Sequence, residues 1–222
     1  MKAILSLALL TGACFLLLTN TRCKPVAPVK ATTPLEQFLE GNKRFASMHP
    51  VHPHETKQRV AEIAAGQHPK VAVICCSDSR VPPELIFDQG LGDMFVVRTA
   101  GNLMGGLEIG SIEYAVEHLG VEYILVMGHK DCGAIKAFIE GGEVPGHIND
   151  IIQTIKAEQE ISQMPMTDKQ LINDYIRANI LHGLHQLKQQ SVIINDKVRS
   201  RQLQLVGACY DLDKGLVEII RE

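Results

Sequence analysis

The sequence predicts an α/β fold: a mostly parallel central sheet flanked by helices, with an antiparallel edge strand near the C-terminus. Three observations carry this expectation. The runs Val71-Ala72-Val73-Ile74-Cys75-Cys76, Met94-Phe95-Val96-Val97 and Tyr123-Ile124-Leu125-Val126-Met127 are short, apolar and near-continuous. Such runs suit strands buried on both faces, as in a parallel sheet. Helical patterns alternate with them, and a βαβα order implies crossover helices. Last, Asp213-Lys214-Gly215 separates the apolar runs 202–212 and 216–220. That is a tight-hairpin signal, so the final strand runs antiparallel.

The elements follow in order. Lys2 precedes a charge-free apolar run from Ala3 to Leu18, then polar Thr19-Asn20-Thr21. A bilayer-spanning helix needs about 20 apolar residues. A basic start, a shorter apolar stretch and a polar end read as a secretory signal peptide over residues 1–23. This implies export, to a bacterial periplasm. A retained membrane anchor is the alternative. Cys14 and Cys23 raise a lipoprotein reading, but neither has Leu three positions before it, and Arg22 directly precedes Cys23. Residues 24–34 hold Pro25, Pro28 and Pro34, which block helix and sheet ladders, so they read as an extended linker. The folded domain is expected over 35–222.

Residues 34–45 have apolar positions at 35, 38, 39 and 45, with Thr33 as N-cap and Pro34 in the first turn of a helix. His49-Pro50-Val51-His52-Pro53-His54 reads as a solvated loop rather than a metal site, for want of a Cys or carboxylate partner. A second helix runs from Glu55 to Ala65 and stops at Gly66. Further helices are expected over 106–119, 133–140, 147–163 and 168–190, the third with Ile148, Ile151, Ile152 and Ile155 on one face.

Composition narrows the function. A length of 222 residues suits one α/β domain and a short appendage. A net charge of -3 gives no global attraction for nucleic acid, and aromatics at 5% with no Trp leave no stacking platform for single strands. The spacing of the six cysteines does not read as a disulfide framework. Cys14 lies in the apolar segment, Cys75 and Cys76 are adjacent, and Cys132 follows His129 by three. That pattern points to metal before cross-links.

Two strands end in polar segments: Cys76-Ser77-Asp78-Ser79-Arg80 and Gly128-His129-Lys130-Asp131-Cys132-Gly133. In open α/β sheets ligands sit beyond the carboxyl ends of strands, so both segments can converge on one site. Two thiolates and one imidazole suit Zn²⁺, which favours four tetrahedral ligands. Three are evident, which leaves a fourth position for water. Taken singly, Cys75 and Cys76 read as buried apolar residues, and an isolated His-x-x-Cys is weak. Two such segments at strand ends are harder to read as core. Arg80, two residues from Asp78, can hold that carboxylate ionised and oriented. Without Cys76 beside it, the pair would read as a turn-stabilising ion pair.

At these residues the sequence resembles the β-carbonic anhydrases over nearly all of 35–222. The paired segments Cys76-Ser77-Asp78-Ser79-Arg80-Val81 and Gly128-His129-x-x-Cys132-Gly133 are similar to the family's zinc motifs. Further likenesses are Gly41-Asn42-x-Arg44-Phe45, Gly92-Asp93-Met94-Phe95-Val96-Val97-Arg98, Ala100-Gly101-Asn102 and Ser111-Ile112-Glu113-Tyr114-Ala115-Val116. The resemblance implies zinc held by Cys76, His129 and Cys132, and a catalytic dyad of Asp78 and Arg80. It implies reversible hydration of carbon dioxide to bicarbonate and a proton, by attack of zinc-bound hydroxide. Gln67, Phe95 and Tyr114 match substrate-cleft positions of the open, plant-like subclass, and Gly133 matches a residue beside the cleft. The other subclass, which responds to bicarbonate, typically uses a Trp that this chain lacks. The family builds clefts between subunits of dimers, often within tetramers, so Gln67, Phe95 and Tyr114 are expected to act across subunits. Competing readings are a relative acting on carbon disulfide or carbonyl sulfide, a zinc-stabilised binding protein with four protein ligands, and a thiol redox protein using Cys75-Cys76.

Overall fold

The computed structural model describes residues 33–164 and 171–221. The expected signal peptide and nearly all of the linker lie outside those residues. The described residues form one compact unit. Helix α1 (Pro34–Ala46) begins as expected: Thr33 and Glu36 exchange hydrogen bonds, Thr33 N–H to Glu36 Oε2 at 3.0 Å and Glu36 N–H to Thr33 Oγ1 at 3.2 Å. This capping box satisfies two otherwise unpaired donors. Helix α2 (Lys57–Ile63) is shorter than expected because Thr56 caps it. The His-rich loop before it contains a carboxylate contact the sequence did not suggest, His54 Nδ1 to Asp93 at 2.7 Å.

Strands β1 (Val71–Cys76), β2 (Met94–Thr99), β3 (Tyr123–His129), β4 (Gln204–Asp211) and β5 (Leu216–Ile220) form one sheet in the order β2-β1-β3-β4-β5. The first four are parallel and β5 is antiparallel to β4. Every residue of β1 and β3 is buried, as their unbroken apolar runs require. Helix α3 (Pro83–Ile86) and a 3₁₀ turn (Ala100–Asn102) follow β1 and β2. Helices α4 (Gly106–His118) and α5 (Gly133–Glu140) agree with expectation within a residue. The expected helix 147–163 is instead two, α6 (Ile148–Ala157) and α7 (Gln159–Ser162), because Glu158 between them has an extended backbone (φ -61, ψ 126). Helix α8 (Ile172–Gln190) is the longest among the described residues, and α9 (Val192–Arg199) follows it directly.

Two features position the site. Chain order reverses direction between β1 and β3, the switch point where an α/β sheet opens a crevice at its carboxyl edge. Helix α8 also rides low over the sheet. A Cβ built on Gly128 would lie 2.8 Å from Ile180, and one on Gly207 would lie 3.0 Å from it, so only glycine admits the helix this closely.

Candidate metal centre

The crevice gathers the predicted donors. Parallel register sets Cys75 beside Met127, so Cys76 and the end of β3 reach the same edge together. Cys76 closes β1, His129 closes β3, and Cys132 is the N-cap of α5. Their donor atoms all lie within 4.8 Å of one another, and all three residues are buried. No fourth His, Cys, Asp or Glu joins them among the described residues. A binding protein with a closed four-ligand site is therefore not what the donors form.

The imidazole is oriented by its backbone. His129 Nδ1 lies 2.8 Å from the Lys130 carbonyl, which can only accept, so Nδ1 carries the proton. Lys130 is itself fixed, its N–H donating to the Tyr210 carbonyl at 2.9 Å and its Nζ to Asp211 at 2.7 Å. The lone pair is thereby left on Nε2, a buried atom with no hydrogen-bond partner. A buried orphaned acceptor costs about 1–3 kcal/mol unless something binds it. Facing two sulfurs, it fits a thiophilic divalent metal, and zinc suits this donor set.

The sulfurs prepare for that charge. A hydrogen bond from Cys132 holds the Cys76 thiol well below its ordinary pKa, against the opposing effect of burial. The same bond, together with burial and the charge on Cys76, pushes Cys132 up. Without metal the pair keeps one proton between two sulfurs; a cation would release it. The Gly101 N–H also donates to Cys76 Sγ at 3.3 Å. Gly101 has φ +68, a left-handed conformation, and a Cβ there would meet Ala134 at 3.0 Å.

Asp78 sits at the rim. Arg80 grips it with both ends, Nε to Oδ1 at 2.9 Å and Nη2 to Oδ2 at 2.7 Å, and the Arg80 N–H adds a third bond at 2.9 Å. The guanidinium holds this carboxyl well below the usual carboxylate range. Asp78 Oδ2 is 3.9 Å from His129 Nε2, adjacent to the donors yet engaged by Arg80. Arg98 braces the same turn, donating to the Cys76 carbonyl at 3.1 Å and the Asp78 carbonyl at 2.7 Å. Spacing assigned no role to Arg98 or Gly101, although both lie in segments that carry the family resemblance. A glycine just past a strand end was the available signal.

Of the remaining predicted residues, Gln67, Phe95 and Tyr114 lie elsewhere in the protomer. Phe95 pairs with Ala72 in register, whereas Cys76 pairs with Thr99. At about 3.3 Å per residue, Phe95 is roughly 13 Å down the sheet from the donors. Tyr114 packs near Phe95, ring centroids 6.4 Å apart, and is 47% exposed. Gln67 is exposed in the loop before β1. Gly133 opens α5 immediately after Cys132, with nothing within 4 Å of a built Cβ. Cys75 and Cys76 are consecutive strand residues and so face opposite sides of the sheet. Burial pushes the Cys75 thiol up to about 12, which makes it inert and removes the redox pair. A groove of about 670 Å3 lined by Leu35, Leu184, Leu203 and Ile220, among others, holds none of the predicted site residues.

Known proteins match over this region. The family model described as carbonic anhydrase matches residues 71–217. Carbonic anhydrase 2 of Mycobacterium tuberculosis is 38% identical over 195 residues, covering 86% of this chain and 90% of that one. Among solved structures, a β-carbonic anhydrase of Aspergillus fumigatus superposes with a TM-score of 0.66 at 26% identity, covering 85% of this chain and 91% of that one. One of two tetrameric β-carbonic anhydrases of Sordaria macrospora gives 0.64 at 26% identity, covering 82% and 94%.

Proposed function

The chain belongs to the β-class carbonic anhydrase family and is a carbonate dehydratase, a lyase, and on that premise we propose that it works through zinc held by Cys76, His129 and Cys132. The observation that carries the metal is the buried, unpartnered His129 Nε2 beside two cysteine sulfurs. A zinc ion there would supply the Lewis acidity that favours ionisation of a bound water.

The protein's own groups do the rest. Asp78, kept ionised by Arg80, would accept a hydrogen bond from the attacking water and fix its remaining lone pair toward carbon dioxide. Arg98 and the Arg80 N–H hold the turn so that the carboxylate does not swing into the metal's fourth position. That arrangement supports the open subclass. Gly133, bare at the start of α5, leaves room for substrate beside Cys132.

Gln67, Phe95 and Tyr114 form the substrate cleft of a neighbouring subunit. Their distance from this protomer's own donors and the exposure of Tyr114 support that reading. A tetrameric β-carbonic anhydrase among the similar structures supports a homo-oligomer, dimer or tetramer. The charge-free run from Ala3 to Leu18 supports export to a periplasm, free or membrane-attached.

The test is zinc content per chain together with stopped-flow carbon dioxide hydration before and after chelation. One zinc per chain is expected, with activity lost on chelation and regained on zinc addition. A metal-free chain that hydrates at the full rate would overturn the reading.

A further inference from the structure

A buried polar chain runs from the break between α6 and α7 to the metal centre. Glu158 is 2% exposed, and its Oε1 accepts from Asn179 Nδ2 at 2.8 Å. Asn179 Oδ1 in turn accepts from Asn102 Nδ2 at 2.6 Å. Both asparagines are 3% exposed. Asn102 directly follows Gly101, whose N–H donates to Cys76 Sγ. Gly101 and Asn102 both have left-handed backbones, φ +68 and +50. Such a pair persists only where its surroundings hold it. The Asn179 amide is the side-chain anchor that does so.

Glu158 is an expensive way to fasten an amide. It interrupts what the pattern reads as one helix, and its Oε2 has no partner. Burial, countered by the Asn179 bond and aided by Glu160, pushes its carboxyl up to about 8, so it is mostly neutral at pH 7. A cavity of about 20 Å3 lies against it, lined by Asn102, Thr154, Asn179, His182 and Gln186 among others. The charged or titratable groups facing it are Glu160 from α7 and His182 from α8. Glu160 is occupied with His182 and His185, at 2.6 and 2.5 Å. An apolar residue would fill this place without the desolvation cost, but it could not receive the Asn179 amide.

We propose that Glu158 is a positioning residue of the metal centre, acting through Asn179 and Asn102 to hold the Gly101 N–H on the Cys76 sulfur. The proposal rests on the metal reading above. Donors to a ligating atom tune the metal and fix its ligand. With the chain cut, the turn relaxes and the N–H leaves the sulfur, so Cys76 donates more charge but is no longer held in place, and the lost orientation outweighs the stronger donor in zinc retention.

The experiment uses the full chain loaded with Co²⁺, read by its thiolate-to-cobalt charge-transfer band, and the zinc form, read by zinc release to a chelator. Wild type is expected to show the band. Glu158→Ala should move it to longer wavelength and speed zinc release by about tenfold. Glu158→Gln should restore both, because the Gln Oε1 accepts the same amide. A wild-type chain with no such band overturns the metal reading itself. A wild-type band left unmoved in folded Glu158→Ala, with unchanged zinc release, overturns only the positioning role. Where Glu158→Ala fails to fold, wild type is compared with Glu158→Gln across the Glu158 pKa of about 8. Ionisation should displace the wild-type band and not that of Glu158→Gln. Bands that move together with pH overturn the proposal.

Discussion

The turn after β1 and the break between α6 and α7 each carry one carboxyl group, and they treat it in opposite ways. Asp78 lies at a rim, held by three hydrogen bonds from Arg80, and stays ionised far into acid. Glu158 lies in the core with one amide donor and is held neutral. The first region borders the three metal donors, and the second reaches Cys76 through Asn179, Asn102 and Gly101. The difference follows the work each group does. A carboxylate that must stay charged to accept a hydrogen bond from water needs a cation and solvent access. One that only receives an amide needs a fixed position, and burial gives it that.

Asp78→Asn breaks the comparison most sharply. An amide has one acceptor oxygen where the carboxylate has two, so with Arg80 engaged it cannot also orient the water, and hydration should fall by roughly 10²–10³-fold with zinc content unchanged. Stopped-flow rates beside metal analysis check this, and a fully active variant would reduce the Asp78–Arg80 pair to a turn brace. Glu158→Gln tests the other side through stability. The Glu158 carboxyl titrates at 4.5 when free and at about 8 when folded. Between those values the native state binds a proton that the unfolded chain has released, so wild-type stability falls as pH rises through this window and levels off above it. Glu158→Gln lacks that loss. Its advantage over wild type should grow across the window to a few kcal/mol, with about 5 kcal/mol as a ceiling. Urea unfolding of both chains at several pH values and fixed free zinc reads it; a constant difference would mean Glu158 is not held neutral. Arg80→Met should have the smallest effect on stability, because Arg80 is 53% exposed and solvent screens the pair. Its signature is in the rate profile. Freed of the guanidinium, Asp78 protonates at higher pH, so the acidic limb of activity moves upward. An unmoved limb would assign that limb to another group.

The two regions also differ in how far the sequence discloses them. Cys76, Asp78 and Arg80 fall within five residues, and His129 and Cys132 within four, so local spacing at a strand end exposes the chemistry. The strands themselves are legible because burial on both faces leaves unbroken apolar runs. Glu158, Asn179 and Asn102 are separated by 21 and 77 positions, and each alone is an ordinary polar residue. Nothing in Gln153–Gln163 marks Glu158 as the point where the helix stops, because Glu favours helix and the break is made by tertiary hydrogen bonding. Helix α9 is hidden for a related reason. Its β-branched Val192, Ile193 and Ile194 give no helical signal, yet Ser191 Oγ accepts from the Ile194 N–H at 3.1 Å and starts the turn. The residues proposed for the cleft, Gln67, Phe95 and Tyr114, were legible by likeness alone. Their place along the strand, remote from the donors, came only from register.

The low seating of α8 over Gly207 has one more result. Ile180, which fills the space above that glycine, is the next residue after Asn179. Helix height and amide position are therefore one adjustment, with no slack between them. A methyl group placed on Gly207 carries no charge and titrates nothing, and that residue belongs to β4, not to either strand that ends in a donor. It would nevertheless lift the bolt that fastens the turn against Cys76, and would be felt as a mistuned metal. A Gly207→Ala chain with an unaltered cobalt band would show that the mounting has play. An altered one would mean that disabling substitutions in this enzyme can hide in its apolar layer, where chemical intuition does not look.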